Sequence, residues 1–212
     1  MSRVTAKICG LSTPETLDAA IAGGASHVGF VFFPPSPRNV SFDMAAGLAA
    51  RVPDHVARVG VFVNPDDALL DRAIATGRLG AVQLHKTAPD RTAAIRARGV
   101  DVWAAVPVKI RADLDAARGY RQAAEKVLYD AKTPDDAALP GGMGLRFDWS
   151  LLDGFRHPLP WALSGGLTPD NLTEAARRTG ATLVDVSSGV ESAPGVKDVD
   201  KIVAFLKAVA QC

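Results

Sequence analysis

Short apolar runs recur along the whole chain, and few of them alternate with polar positions. They lie near Thr5–Cys9, His27–Phe32, Ala57–Val63, Ala81–Leu84, Val100–Val106, Lys126–Asp130, Leu159–Leu163 and Thr182–Val186. Gly29-Phe30-Val31-Phe32 and Gly60-Val61-Phe62-Val63 are almost unbroken. Strands of a parallel sheet, buried on both faces by helices, read this way, whereas a half-solvated sheet alternates. The runs start roughly 20–33 residues apart, about one strand–helix–strand repeat each.

Between the runs sit helix-start signals of one kind. Thr13-Pro14-Glu15, Asn64-Pro65-Asp66 and Thr168-Pro169-Asp170 each place a capping side chain before proline and an acid. The cap oxygen accepts from an orphan N–H, proline suits the first helical position, and the acid complements the positive helix end. Amphipathic segments follow at Leu17–Ala22, Leu69–Ala75, Leu172–Arg178 and Ile202–Val209. Gly23, Gly77, Gly99 and Gly180 fall where such helices should stop. Eight strands alternating with about eight helices predict one closed parallel (β/α)8 barrel over residues 1–212. No G-x-G-x-x-G follows the first strand, which argues against a doubly wound dinucleotide fold. The Pro- and Gly-rich stretch Ala131–Phe147 is the longest expected loop, and its length suggests a functional lid.

Composition narrows the partners. The 212 residues carry 24 basic and 23 acidic side chains, a formal net charge of +1. That balance gives no support for a nucleic-acid or membrane-surface partner. No apolar run approaches the roughly 18 residues of a spanning helix, and Met1–Gly10 lacks the apolar core of a secretory signal. The two cysteines, Cys9 and Cys212, suggest neither a disulfide framework nor a zinc site. Cys212 is expected to be an exposed terminal thiol. Reduced cysteines fit the cytoplasm. Four histidines without clustered acids make a metal site unexpected.

Active sites of parallel barrels lie at the C-terminal ends of the strands. Cys9, Arg38, His85, Asp130, the Gly165-Gly166 pair and Ser187-Ser188-Gly189 are all expected there. Glycines let backbone N–H groups approach an anion, and loops after strands seven and eight commonly hold phosphate in barrel enzymes. The alternative is two tight turns that need glycine. Cys9 and Asp130 end strands one and six; singly, each reads as a buried thiol or a capping carboxylate. Together across one mouth they form a base and an acid on opposite sides of a substrate. Arg38 is either a solvated loop residue or a two-pronged carboxylate grip. His85 is placed to orient a substrate, and Asp185 either binds a hydroxyl or stabilises its turn. Lys7 is expected to be a barrel-interior charge paired with an acid that the sequence does not identify.

Several stretches, in order, resemble the phosphoribosylanthranilate isomerase family. They are Lys7-Ile8-Cys9-Gly10-Leu11, Gly29 to Arg38, Val82-Gln83-Leu84-His85, and Gly141-Gly142-Met143-Gly144 with Phe147-Asp148-Trp149. Leu163 to Leu167, Asp185 to Glu191 and Pro194 to Asp198 complete them. The resemblance implies an Amadori rearrangement of N-(5-phosphoribosyl)anthranilate in tryptophan biosynthesis, without metal or cofactor. It implies Asp130 as general acid and Cys9 as general base. It also implies Arg38 on the anthranilate carboxylate, phosphate at the strand-seven and strand-eight loops, and a contributing loop at Gly142 and Gly144. Its only expected partner is the small phosphorylated substrate, with the chain acting as a monomer or a homodimer.

Met143 stands where that loop often carries threonine, and Pro35 where lysine is frequent. The related aminoaldose isomerase of histidine biosynthesis should show carboxylates at both catalytic strands, and Cys9 argues against it. An indole-glycerol-phosphate synthase should show a catalytic lysine and glutamate set that this sequence lacks. A non-catalytic phosphate binder would keep the glycine loops but have no need for Cys9 and Asp130.

Overall fold

A computed structural model of the chain describes residues 4–134, 139 and 141–212. Eight parallel strands close on themselves: β1 Thr5–Cys9, β2 His27–Val31, β3 Ala57–Val63, β4 Ala81–His85, β5 Asp101–Val108, β6 Lys126–Ala131, β7 Trp161–Leu163 and β8 Leu183–Val186. Each pairs with its sequence neighbours, and β8 returns to β1 with Lys7 opposite Asp185. Among the described residues six α-helices pack outside: α1 Pro14–Ala22, α2 Phe42–Ala49, α3 Asp67–Gly77, α4 Pro89–Arg96, α5 Leu172–Thr179 and α6 Val199–Ala210. None among the described residues is long and apolar enough to cross a membrane.

Both strand faces are buried, which explains the unbroken apolar runs. Ile8, Val28, Phe30, Phe62, Val82 and Leu84 face outward and pack with Leu17, Leu48, Leu70, Ile95 and Phe205 of the helices. Val59, Ala81, Trp103, Leu128, Ala162 and Leu183 form an apolar cluster inside the barrel. Two residues further along their strands, Gln83 and Asp185 form a polar tier with Lys7. Beyond Lys7 and Gln83, and level with the barrel mouth, stand Cys9, His85 and Asp130. The strand period of two therefore sends one polar tier above another, toward the C-terminal end.

The expectation of about eight helices needs correction. The β5–β6 and β6–β7 connections carry 3-10 segments, Arg111–Tyr120 and Trp149–Leu152. Leu114, Ala117 and Tyr120 recur every third residue, a spacing that stacks them on one face of a three-residue turn. Two helix starts also move. Asp66, not Asn64, caps α3 by accepting from Leu69 N at 2.8 Å. Helix α5 begins at Leu172 rather than beside Thr168, because Asn171 holds the turn: its Oδ1 accepts from Thr168 N and its Nδ2 donates to Gly166 O, both at 2.9 Å. Cys212 is not exposed. It is half-buried against the core, its thiol donating to Ala208 O.

The sequence pattern does not predict one further element. After β8 and a single 3-10 turn, Ser188–Val190, the chain makes an antiparallel hairpin of β9 Glu191–Ala193 and β10 Val196–Lys197. Gly195 turns it with φ of +82°, a left-handed conformation that favours glycine.

Candidate active site

At the C-terminal ends of the strands lies a cup of about 810 Å³, counting its open mouth. The residues expected at the strand ends and their loops line it: Cys9, Arg38, His85, Asp130, Gly142, Gly144, Gly165, Gly166, Asp185, Ser187, Ser188 and Gly189. They come from the ends of β1, β4, β6 and β8 and from the loops that follow β2, β6, β7 and β8.

Asp130 is buried at the end of β6, its Oδ1 accepting from Ala131 N at 2.9 Å. Burial and then the nearby Asp185 charge raise its pKa from 3.8 to about 7, against the Ala131 N–H, Lys7 and the Ser164 hydroxyl. A carboxyl so placed holds its proton through the acid range and shares it near neutrality. Two glycines make room for it. A Cβ on Gly141 would sit 2.7 Å from Asp130 Oδ2, and one on Gly165 would sit 3.0 Å from Oδ1.

Cys9 ends β1 and packs with Val31, Val61 and Phe33. Burial pushes its thiol above the ordinary value; Lys7 and Lys197 pull it down, and Asp185 pushes it up. A thiol that is to act as a base near neutrality needs a pKa below the free value of about 8.5. The protein's own groups do not supply that, because the removal of water outweighs two lysines.

Lys7 finds its acid. Its ammonium is fully buried, donating to Asp185 Oδ1 at 2.7 Å and to Gln83 Oε1 at 2.9 Å. Burial alone would lower its pKa, but Asp185 and the neighbouring Cys9 raise it to about 12. A Cβ on Gly29 would lie 3.0 Å from Lys7 Cε and 3.1 Å from Cys9 Sγ, so glycine there lets the two side chains lie together. Asp185 also accepts from Ser164 Oγ at 3.1 Å.

His85 is neutral, since burial and then Lys7 take its pKa to about 4. The Gln83 Oε1 faces Lys7, so its amide nitrogen donates to His85 Nε2 at 2.9 Å. That assignment puts the ring proton on Nδ1.

Arg38 is buried rather than solvated. Its Nε and Nη2 grip Glu191 Oε1 and Oε2, each at 2.7 Å, and Nη2 also donates to Gly142 O at 2.9 Å. The two-pronged face expected for a substrate carboxylate is therefore engaged by a protein carboxylate, and Nη1 points on toward Gly142. Glu191 also receives Lys197 Nζ at 2.6 Å, and Lys197 donates to Ser187 O at 2.9 Å and Ser187 Oγ at 3.2 Å. Ser187 Oγ in turn donates to Cys9 O at 3.2 Å.

The glycine loops after β7 and β8 meet closely. Gly165 and Gly166 have φ of +89° and +63°, and a Cβ on Gly189 would lie 1.8 Å from Leu167 O. Only glycine is tolerated at such an approach. The described part of the loop after β6 crosses the mouth. Gly142 O accepts from Arg38, and a Cβ on Gly141 or Gly144 would meet Asp130 Oδ2 at 2.7 Å or Ser188 Oγ at 3.7 Å. Residues 135–138 and 140 of that loop lie outside the described residues.

Sequence reasoning missed Gln83, Glu191 and Lys197 as site residues. All three stood inside stretches that carried the resemblance, and each is a polar residue now buried. Among the described residues no group of three or more His, Cys, Asp or Glu side chains is arranged to hold a metal ion.

Fold and site together define a (β/α)8-barrel enzyme with its chemistry at the carboxyl ends of the strands. The model of the N-(5'-phosphoribosyl)anthranilate isomerase family matches residues 6–208, and the chain belongs to that family. It is 56% identical over 209 residues to the N-(5'-phosphoribosyl)anthranilate isomerase of Zymomonas mobilis subsp. pomaceae, covering 97% of this chain and 98% of the relative. Against the isomerase of Paracoccus denitrificans it is 56% identical over 205 residues, covering 96% and 95%. The crystal structure of phosphoribosyl anthranilate isomerase from Thermotoga maritima superposes with a TM-score of 0.88 at 38% identity, covering 99% of this chain and all of that one. A further isomerase structure, in complex with reduced 1-(o-carboxyphenylamino)-1-deoxyribulose 5-phosphate, gives 0.83 at 36% identity over 99% and 100% of the two chains.

Proposed function

We propose that Asp130 and Cys9 are the acid and the base of the isomerisation. The chain is an aldose–ketose isomerase of tryptophan biosynthesis, acting on N-(5-phosphoribosyl)anthranilate. The reaction is an internal redox change: C1′ is reduced and C2′ is oxidised to a ketone.

Asp130 gives its proton to the ribose ring oxygen. The ring C–O bond breaks, and the nitrogen lone pair forms a Schiff-base cation at C1′. Cys9, as thiolate, removes the C2′ proton, and that electron pair neutralises the imine as an enolamine. The enolamine then loses its hydroxyl proton and gains one at C1′. A pKa of about 7 leaves Asp130 a proton to give near neutrality and a base strength suited to taking one back. Burial holds the Cys9 thiol high, so its thiolate forms best beside a new positive charge. The Schiff-base cation is that charge, so ring opening precedes proton abstraction.

Arg38 holds the anthranilate carboxylate through Nη1. Gly165, Gly166, Ser187, Ser188 and Gly189 hold the phosphate, His85 and Asp185 orient the ribose, and Gly142 and Gly144 close the mouth. The chain works as one domain over 1–212, as a monomer or homodimer in the cytoplasm, on a small phosphorylated molecule.

The observation that carries this reading is the raised Asp130 carboxyl lining the same cup as Cys9. Its first test is loss of phosphoribosylanthranilate fluorescence on mixing with purified protein in EDTA, without added cofactor. A clear decay is expected, and no decay would contradict the reading.

A further inference from the structure

We propose that the β9–β10 hairpin is a positioning device for substrate-carboxylate recognition, and that Glu191 is the residue that aims Arg38. The proposal rests on the reading that Arg38 holds the anthranilate carboxylate.

The hairpin lies outside the barrel sheet, and its two strands put Glu191 and Lys197 opposite each other. All three charges of the cluster are buried: Arg38 at 5%, Glu191 at 8% and Lys197 at 9% exposure. Glu191 fixes the Arg38 fork in its plane through two parallel bonds, the most directional ion pair side chains make. Three acceptors around Lys197 Nζ, namely Glu191 Oε1, Ser187 O and Ser187 Oγ, require an ammonium. One carboxylate thus faces two cations, and the cluster keeps one unit of positive charge out of water. A buried net charge is unfavourable until an anion meets it. The end of the cluster that lines the cup is Arg38, so the anion is one that enters there.

The hairpin and its neighbours also leave Arg38 a single path. A Cβ on Gly10 would lie 2.7 Å from Arg38 Cδ, and one on Gly142 would lie 2.7 Å from Nη1. The Gly195 turn packs on the residue before Arg38, since a Cβ there would lie 2.7 Å from Pro37 O. Lys201 Nζ secures the backbone of Glu191 by donating to its carbonyl at 2.7 Å. The apparatus is therefore built to hold one guanidinium in one orientation. Glu191 acts through Arg38 and touches no reacting atom.

The test compares two substrates formed from ribose 5-phosphate, one with anthranilate and one with aniline. They share the ribose and phosphate and differ by one carboxylate. Glu191→Gln removes the charge while keeping the shape. It is expected to lower kcat/KM for the anthranilate adduct by about 30-fold, mainly through KM, as loss of a charged hydrogen-bond geometry does. The aniline adduct is expected to lose less than about threefold, because its recognition does not use the oriented fork. Glu191→Asp should restore part of the selective loss. Equal losses on both substrates would overturn the proposal, showing that Glu191 merely supports the fold or the phosphate loop. Arg38→Met is run beside it. An equal loss there on both substrates would remove the carboxylate reading itself, and the proposal with it. A selective loss in Arg38→Met without one in Glu191→Gln would remove this proposal alone. If circular dichroism shows Glu191→Gln unfolded, Glu191→Asp is read by the same comparison.

Discussion

Lys7 and Asp185 are register partners on the two strands that close the barrel, and their side chains meet at 2.7 Å beneath the cup. The pair brings opposite charges to bear on both members of the proposed acid–base pair. The Asp185 charge raises Cys9 and Asp130, and the Lys7 charge lowers both. Removing Lys7 leaves Asp185 buried without its cation. Lys7→Met is expected to lower stability by about 3–5 kcal/mol, the usual result of breaking a buried pair from one side. Urea unfolding measures it. The acid limb of the activity profile should move to higher pH in the same variant.

The Asp130 carboxyl gives a pH dependence with a definite sign. The proposed mechanism needs Asp130 protonated and Cys9 ionised, and the thiol lies above the carboxyl. The form that carries both gains population until pH reaches about 7, so kcat/KM should rise through about 7, level off, and fall only as pH passes the thiol. The same shift affects stability. The folded state binds a proton that the unfolded state has released above 3.8, so stability declines as pH rises from about 4 to about 7 and stays low above it. Asp130→Asn carries no such charge. It should raise stability by about 2–4 kcal/mol at pH 8 and far less at pH 4, because each pKa unit corresponds to about 1.4 kcal/mol. Urea midpoints at the two pH values check this. A carboxyl kept raised at a cost in stability is the trade-off expected if Asp130 is the acid proposed above.

Thiol chemistry reports the charge around Cys9. With Cys212→Ser in the background, iodoacetamide should modify Cys9 with a pH midpoint above that of a free thiol, in line with its burial. Adding Lys7→Met should move the midpoint further up. Rates of alkylation across pH 7–11, read by mass spectrometry, settle the order.

Gly165 tests the fit of loop to acid. It has φ of +89°, and a Cβ there would lie 2.7 Å from Ala131 N and 3.0 Å from Asp130 Oδ1. Gly165→Ala is expected to destabilise by about 1–3 kcal/mol through backbone strain. It should also lower kcat by displacing the carboxyl. Thermal unfolding and steady-state kinetics check both parts.

The barrel was legible because its strands are buried twice over. Each apolar run marked a strand, and all eight lie within two residues of their expected starts. Helix boundaries were less legible. Asn171 and Asp66 cap through side-chain geometry that spacing alone does not rank above Thr168 or Asn64. The candidate site residues gather in one cup because strand ends in a parallel barrel share one face. What stayed hidden were the partners. Arg38 meets Glu191 across 153 positions of sequence, and Lys7 meets Asp185 across 178. Local pattern carries no sign of which distant charges close such pairs. Five residues of strand in two short pieces were likewise too few to announce the β9–β10 hairpin.

Single-turnover decay of phosphoribosylanthranilate fluorescence in Cys9→Ala and Asp130→Asn tests the acid–base pair most directly. Binding of reduced 1-(o-carboxyphenylamino)-1-deoxyribulose 5-phosphate should be measured alongside. Each variant is expected to lose about 10²–10⁴-fold in rate, the usual contribution of one proton-transfer group, while binding the analogue within a few-fold of the parent chain. Either variant turning over at a rate within about tenfold of the parent would contradict the assignment.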